Sequence, residues 1–488
     1  MDQIQQLSTD TGSILATNDT YTAYRSQWRY LLESYLGGEE YRNAGHLVRY
    51  QLEQDREYQS RLAQTPLDNH CSSVISVYNS FLFREEPQRD LGSIQNLPET
   101  EQFINDTDLD GRQLNSFVKD VATWASVFGH AWVLVVKPNT GARTLAEERQ
   151  MGARPYAIYL TPLAVMDWQY GRDISGRYQL EYFKYLEEST GSVRVVKEWT
   201  RDSVKTSIID VEHDTVQQQH TEPNSLGKIP AVCVYNRKGV VRGIGVSDIA
   251  DIADKQKFIY NATSEIMQSI QMDTHPSLVA TPETNVGTGS GALIHMPENT
   301  DPGLKPYLLE FSGAGVDSIL KSIQQEISAI DKMANTGAVR ATESRTMSGV
   351  AMQTEFQLLN ARLSEKARNL ELAEEQIWRL FSEYMGTQYT GRISYPGSFN
   401  ITDQRDSIEQ LRIAREIVGE DDPALAQQIY SELATILDME PTMQGETASA
   451  PAEGFRPHLM QDPQTGETVL AETREQHLAL QAQGYIHP

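Results

Sequence analysis

The sequence predicts an α+β fold in which a β-rich stretch is followed by unusually long helices. Three observations predict it. Residues 20–85 and 113–128 place apolar side chains at helical spacing, with glycine and proline breaks between the runs. Residues 129–240 break into short runs rich in valine and tyrosine, with turn-forming clusters between them. Residues 248–385 return to helical spacing, over stretches that are long for a globular protein.

The elements follow in order. Tyr24, Trp28, Leu31, Leu32 and Tyr35 recur at helical spacing until Gly37-Gly38 breaks it. Val74, Ile75, Tyr78 and Phe81 mark a helix over 69–83, which Pro87 stops. Leu114, Phe117, Val118, Val121 and Val127 mark another over 113–128. Strands are expected at 131–136, 156–160, 165–170, 180–185, 193–199, 207–211 and 231–235, and the charged segment 141–154 reads as a surface loop. Residues 129–240 thus form an antiparallel β-rich layer leaning on the preceding helices. Ser247 suits the N-cap of a long helix over 248–272, with Ile249, Ile252, Ile259, Ile266 and Ile270 on one face. At 1.5 Å per residue that helix is roughly 38 Å long.

His275-Pro276 ends it. Residues 277–312 hold short strand runs around the glycine tract 287–291, with too little apolar bulk for a core of their own, so pairing with copies of itself is expected. Val316, Ile319, Ile323, Ile327, Ile330 and Met333 stripe a second long helix over 315–334. Residues 335–348 are small and polar, and read as a flexible loop. A third long helix is expected over 349–385, with Val350, Phe356, Leu359, Leu363, Leu370, Ile377 and Phe381 inward and Lys366, Arg368 and Glu371 outward. A strand returns at 391–396, two acidic helices follow over 402–439, and 442–488 reads as a weakly ordered tail.

The chain has 488 residues, enough for two to four units at roughly 100–200 residues each. Its formal net charge is −25, which excludes a general phosphate-gripping protein but not one that surrounds DNA without holding it. Solubility alone also accounts for such a charge. Cys71 and Cys233 are far apart and show no metal spacing, so both read as buried structural thiols in a reducing compartment. Residues 1–19 are polar and acidic and do not read as a secretory leader, and no apolar run reaches membrane-spanning length.

No phosphate loop, nucleophile elbow or zinc-protease helix is present. His46, His70, His130 and His213 are scattered and read as packing or surface residues. Gly243 and Gly245 lack the third glycine of a nucleotide loop and read as a tight turn. Asp248, Asp251 and Asp254 spread along one helix instead of converging on a cation. They read as a solvated face or, alternatively, as an acidic strip facing a channel. No catalytic residue, metal ligand or cofactor is expected.

The order long helix, small β insert, long helix, polar loop, long helix is that of a stalk with a tip, which makes mechanical sense when copies stand side by side as a tube. This order resembles the portal proteins of tailed bacteriophages. YLGGEEYRNAG and NHCSSVISVYNSFLFREEP look like the start of many portal wings. GIGVSDIADIADKQKFIYNATSEIMQS looks like the entry to the first stem helix, and SGVAMQTEFQLLNARLSEKARNLELAEEQIW like the helix after the tunnel loop.

The resemblance spans about residues 21–440 and implies a portal-like fold with an α/β wing, two-helix stem, small β-rich clip, tunnel loop and helical crown. The wing is then 1–246, the stem helices 247–272 and 313–334, the clip 273–312 and the tunnel loop 335–348. Residues 349–400 carry the long helix and return strand, 401–441 the crown and 442–488 the tail.

It also implies a non-enzymatic, homo-oligomeric ring, usually dodecameric, at one capsid vertex of a virion assembled in the host cytoplasm. Double-stranded DNA would pass during packaging and ejection, without sequence readout. The terminase large subunit, adaptor or tail proteins, and the major capsid or scaffolding protein would dock, with no membrane involved. Arg340, Glu343, Arg345 and Thr346 are then candidates for the DNA channel at the tunnel loop. Asp248, Asp251 and Lys255 are candidates for the channel face of the stem, and Thr284, Asn285, His295 and Glu298 for clip docking. Other readings are an adaptor or minor capsid protein, for which the chain is long, and an α/β enzyme, for which convergent polar residues are missing.

Overall fold

A computed structural model describes residues 10–142, 144–274, 277–281, 285–286, 294–295, 301, 303, 305–309, 314–340, 349–397, 399, 413, 458–463, 465, 468–471, 474–483 and 485–486. The chain divides into two units, Met1–Asn400 and Ile401–Pro488.

The first unit opens with helices α1 (Thr11–Leu15), α2 (Asp19–Leu36), α3 (Gly38–Asn43), α4 (Asp55–Gln64) and α5 (His70–Leu82). Asn18 caps α2 by accepting the Tyr21 N–H at 2.6 Å, and Gly37, at φ +65°, makes the expected break. Strand β1 (Gln88–Asp90), α6 (Pro98–Asn105) and α7 (Leu114–Phe128) follow. Gly129, in the left-handed region at φ +95°, ends α7 and starts β2 (His130–Val136).

The β-rich stretch forms two antiparallel sheets. The first has the order β3-β2-β9, with β3 Tyr156–Leu160 and β9 Ala231–Tyr235. Its central strand β2 is apolar from Ala131 onward and buried on both faces up to Val135. The second sheet is a meander of β4 (Val165–Arg172), β5 (Tyr178–Thr190), β6 (Val193–Thr200), β7 (Ser203–Asp210) and β8 (Thr215–Pro223).

Two elements here differ from the sequence reading. Strand β8 (TVQQQHTEP) carries no apolar alternation, because it is an exposed edge held by its ladder to β7. The segment 141–154 contains a helix, α8 (Leu145–Gln150), and is not wholly a loop. Thr144 caps it, and the pairs Lys137–Glu148 and Arg149–Glu99, each at 2.5 Å, fasten it to the layer beneath.

Three long helices follow. They are α9 (Ala250–Thr274), α10 (Ala314–Ala334) and, after the single turn α11 (Gly337–Arg340), α12 (Gly349–Tyr384). Between α9 and α10 lie the short strands β10 (Ser277–Val279), β11 (Asn285–Val286), β12 (Ile294–His295) and β13 (Tyr307–Leu309). Strand β14 (Arg392–Ser394) returns to pair with β1. One core joins α2, α5, α7, the three-stranded sheet and the inner stripe of α12, with Trp28, Tyr78, Phe117, Trp132 and Trp378 among its buried side chains.

In the second unit, where composition predicts a weakly ordered tail, strands β15 (His458–Gln461) and β16 (Thr468–Ala471) form an antiparallel hairpin, followed by helix α13 (Arg474–Ala482). The two acidic helices expected over 402–439 lie outside the described residues, apart from Ile413.

Candidate functional site: a helical hairpin and its ion-paired root

Helices α9 and α10 pack side by side as a hairpin. At 1.5 Å per residue the legs are about 38 and 32 Å long. Lys255 on α9 donates to Glu326 on α10 at 2.5 Å and ties the legs together. Beyond their far ends, β10 pairs with β13 (Ser277 opposite Leu309) and β11 with β12 (Asn285 opposite His295).

The root of the hairpin is built into the core. Ile249, Ile252, Ala253, Gln256, Ile259 and Tyr260 of the entry to α9 are all buried. Gln256 accepts the Cys71 N–H at 2.9 Å and donates to the Ser34 carbonyl at 3.0 Å, so its amide serves α5 and α2 together. Further out, Arg61 on α4 reaches Ser264 at 3.0 Å while both of its bonds to Glu53 are 2.7 Å long. Ser247, expected as the N-cap, lies three residues ahead of Ala250, where its Oγ accepts the Ile249 N–H at 3.0 Å and donates to the Val127 carbonyl at 2.6 Å.

The loop entering α9 touches the end of α7 backbone to backbone. A Cβ on Gly245 would meet the Gly129 oxygen at 1.9 Å, which is why only glycine fits there. The Gly245 N–H donates to Nδ1 of His130 at 3.3 Å. That ring is fully enclosed and must stay neutral to accept, and burial holds its pKa down at about 3.

Asp248 stands at the centre of the root. Its carboxylate pairs with Lys366 at 2.5 Å and with Arg362 at 3.0 Å, both on α12. Lys366 also donates to Ser126 at 2.7 Å and to Asn236. Burial alone would raise the Asp248 pKa, but the two cations outweigh it and hold the group at about 2. Burial also lowers Lys366 from the ordinary lysine value, with Asp248 pulling the other way.

Arg362 does more than neutralise Asp248. It also donates to the Met333 carbonyl at 3.0 Å, at the C-terminal end of α10. Tyr78 completes this joint: its hydroxyl donates to the Ala334 carbonyl at 2.6 Å, and Arg362 lies 5.2 Å from its ring centroid. One side chain on α12 thus fastens the start of α9 and the end of α10.

Several expected positions need correction. Asp248, expected on an exposed channel face, is buried at 6% exposure in the ion-paired root. Lys366, expected outward on α12, is buried at 4%. It stands three residues after Leu363 and four before Leu370, on the apolar stripe itself, and that spacing was the signal available in the sequence.

Arg340, expected on a flexible loop, ends the turn α11. It pairs with Asp331 at 2.9 Å and donates to His70 at 2.8 Å. That contact needs a neutral imidazole, and burial together with the Arg340 charge lowers the His70 pKa. Asp251 is exposed on α9, and Lys255 is half-buried against Glu326. Glu343, Arg345, Thr346, Thr284 and Glu298 lie outside the described residues; Asn285 and His295 are placed by their strands. Arg362 went unrecognised because its partners, Asp248 and the Met333 carbonyl, are distant in sequence, which no local pattern reveals.

Among the described residues no group of histidine, cysteine and carboxylate side chains could hold a metal ion, and no helix is long and apolar enough to cross a membrane.

The first unit thus combines a mixed α/β body, two long tethered helices with short strands at their far end, and a third long helix whose Arg362 and Lys366 meet the root. The family described as phage portal protein, SPP1 Gp6-like, matches residues 22–410, and the chain belongs to it. It is accordingly a phage-like portal protein, a member of a structural family and not a catalytic one. No curated protein matches the sequence.

Among solved structures, a chain of the virion of a native gene transfer agent particle is 11% identical, with a TM-score of 0.42, over 82% of this chain and 98% of that one. A chain from the neck of an empty gene transfer agent particle, computed with C6 symmetry, is 10% identical, with a TM-score of 0.44, over 83% of this chain and 100% of that one.

Proposed function

We propose that this portal protein is the repeating subunit of a closed ring at one capsid vertex, with the α9–α10 hairpins side by side around an axial channel for duplex DNA. The observation that carries the proposal is the uneven finish of the hairpin. Its root is covered by its own chain, whereas Ile270 and Leu320 further along the legs are exposed. A neighbouring hairpin would cover such a surface, and a ring supplies one to every copy.

In this reading the hairpin is the stem, and the strands between its legs are the clip where adaptor or tail proteins and the terminase dock. Thr284, Asn285, His295 and Glu298 are the docking candidates, and β11–β12 pairing sets Asn285 opposite His295. Asp251 and Lys255 remain candidates for the channel wall, and Glu343, Arg345 and Thr346 for the tunnel loop. An acidic wall repels phosphate, so DNA would slide without sequence readout. The net charge of −25 per chain supports this.

Electron microscopy of the purified protein tests the proposal: rings with an axial hole are expected, and compact monomers at every concentration would overturn it. Charge reversal at Arg345 should then alter DNA packaging or retention. Wild-type levels of both would remove that loop from the channel.

A further inference from the structure

A cleft of about 430 Å³ opens between the outer face of β9, the β4–β5 ladder and the middle of α12. Cys233 and Tyr235 line it from β9, because alternate residues of that strand turn the other way into the core. Its walls are tyrosine and arginine. The Arg242 guanidinium lies 3.7 Å from the Tyr178 ring centroid and 5.6 Å from that of Tyr170. Arg172 lies 4.6 Å from the same Tyr178 ring and donates to its hydroxyl at 2.9 Å. The two guanidinium groups lower the Tyr178 pKa, Arg172 foremost.

Lys238 lines the cleft beside Arg242, and Arg172 joins them through Tyr178. Among the described residues, Arg172, Lys238 and Arg242 pair with no carboxylate, whereas Lys228 at the opposite lip is neutralised by Glu383. Leu372 on α12 is an exposed apolar side chain within the cleft, and Val240 and Val241, close to Arg242 in sequence, are exposed as well.

Cationic groups without partners are unexpected on a chain of net charge −25. The surplus of carboxylates lies elsewhere on the same molecule. Stacked arginine and tyrosine with flanking aliphatic groups is the composition found at the centres of protein interfaces. The partner chemistry that fits is an acidic protein surface, and every other copy of this chain supplies one.

We propose that the Tyr170–Tyr178–Arg242 cleft is the cationic half of a heterologous contact, occupied by a carboxylate-bearing surface of an adjacent copy of this chain. The inference rests on the ring reading and deepens it, since a contact between two unlike patches repeats head to tail and closes into a ring.

The test compares wild type with Lys238→Glu/Arg242→Glu by analytical ultracentrifugation across concentration and salt. Both positions are exposed, so the variant should keep the native circular dichroism and melting profile. The expected result is a folded variant whose self-association constant weakens at least about 30-fold, beside a wild type whose assembly weakens as salt rises. Arg56→Glu, an exposed charge reversal on α4 remote in sequence from the cleft, should assemble as wild type does.

Unchanged assembly of the double variant overturns the inference, and so does equal loss in Arg56→Glu. If the double variant loses its native spectrum, Arg242→Gln, which only removes the charge, is read in its place on the same scale. A wild type that never associates rejects the ring reading instead, so the two failures are distinguishable.

Discussion

The root and the outer half of the α9–α10 hairpin are made of similar residues but finished differently. At the root, Ile249, Ile252, Ile259 and Ile330 are buried by α2, α5, α7 and α12, and the polar groups Gln256, Asp248 and Lys366 find partners inside the chain. Further out, Ile270 and Leu320 stand exposed, and Ile319, Ile323 and Ile327 are only half covered. Folding of one chain thus secures where the hairpin starts and ends. The remaining apolar surface is left for something else to bury.

The strongest way to break this comparison is to disrupt the root. Lys366→Met leaves the Asp248 charge buried with one cation fewer, and should destabilise the protein by about 3–5 kcal/mol in a denaturant titration. Adding Asp248→Asn should recover part of that loss. A single variant as stable as wild type would show that the root is not held by charge. Gly245→Ala forces a Cβ into the Gly129 carbonyl and should cost about 1–3 kcal/mol, read from the shift in melting temperature.

The pH dependence sharpens the contrast at the same place. His130 is buried neutral with its pKa held at about 3, so between the unfolded histidine value and that point only the unfolded state binds the proton. Stability should therefore fall as pH drops from about 6.5 toward 3, by up to about 1.4 kcal/mol per unit from this group. His130→Gln should flatten that slope whatever it does to the midpoint. The Asp248 contribution is present above the unfolded aspartate value and is lost only as pH falls through about 2.

The smallest effect on the isolated chain is expected on the exposed leg. Leu320→Glu should change monomer stability by no more than about 0.5 kcal/mol yet reduce assembly, measured as the ring fraction in electron micrographs. Equal ring fractions would mean that this leg surface is not a contact.

Much of this division was legible in the sequence. The three long helices fall within two residues of where their isoleucine and leucine stripes place them, because sustained helical spacing over more than twenty residues has no other local solution. Strands 156–160 and 231–235 were set by their apolar runs and flanking turn residues. Strand β8 was not legible, because an exposed edge strand obeys its neighbour's ladder and not its own pattern.

The root was legible only in part. Ser247 and the Gly243/Gly245 turn announced a helix entry, but the partner of Asp248 lies more than a hundred residues away on α12. Arg340 misled for a related reason. Its polar neighbourhood suggested a loop, while His70 and Asp331, contributed by other helices, hold it in place.

Arg362 joins the carboxylate ahead of one leg to the last-turn carbonyl of the other, so both legs share an anchor point on α12. A lever anchored in this way magnifies small motions. Tilting about that point by about 5° would sweep the far tip of a leg about 38 Å long sideways by about 3 Å. A tilt of that size at the root would thus move the distant strands by nearly the width of an atom.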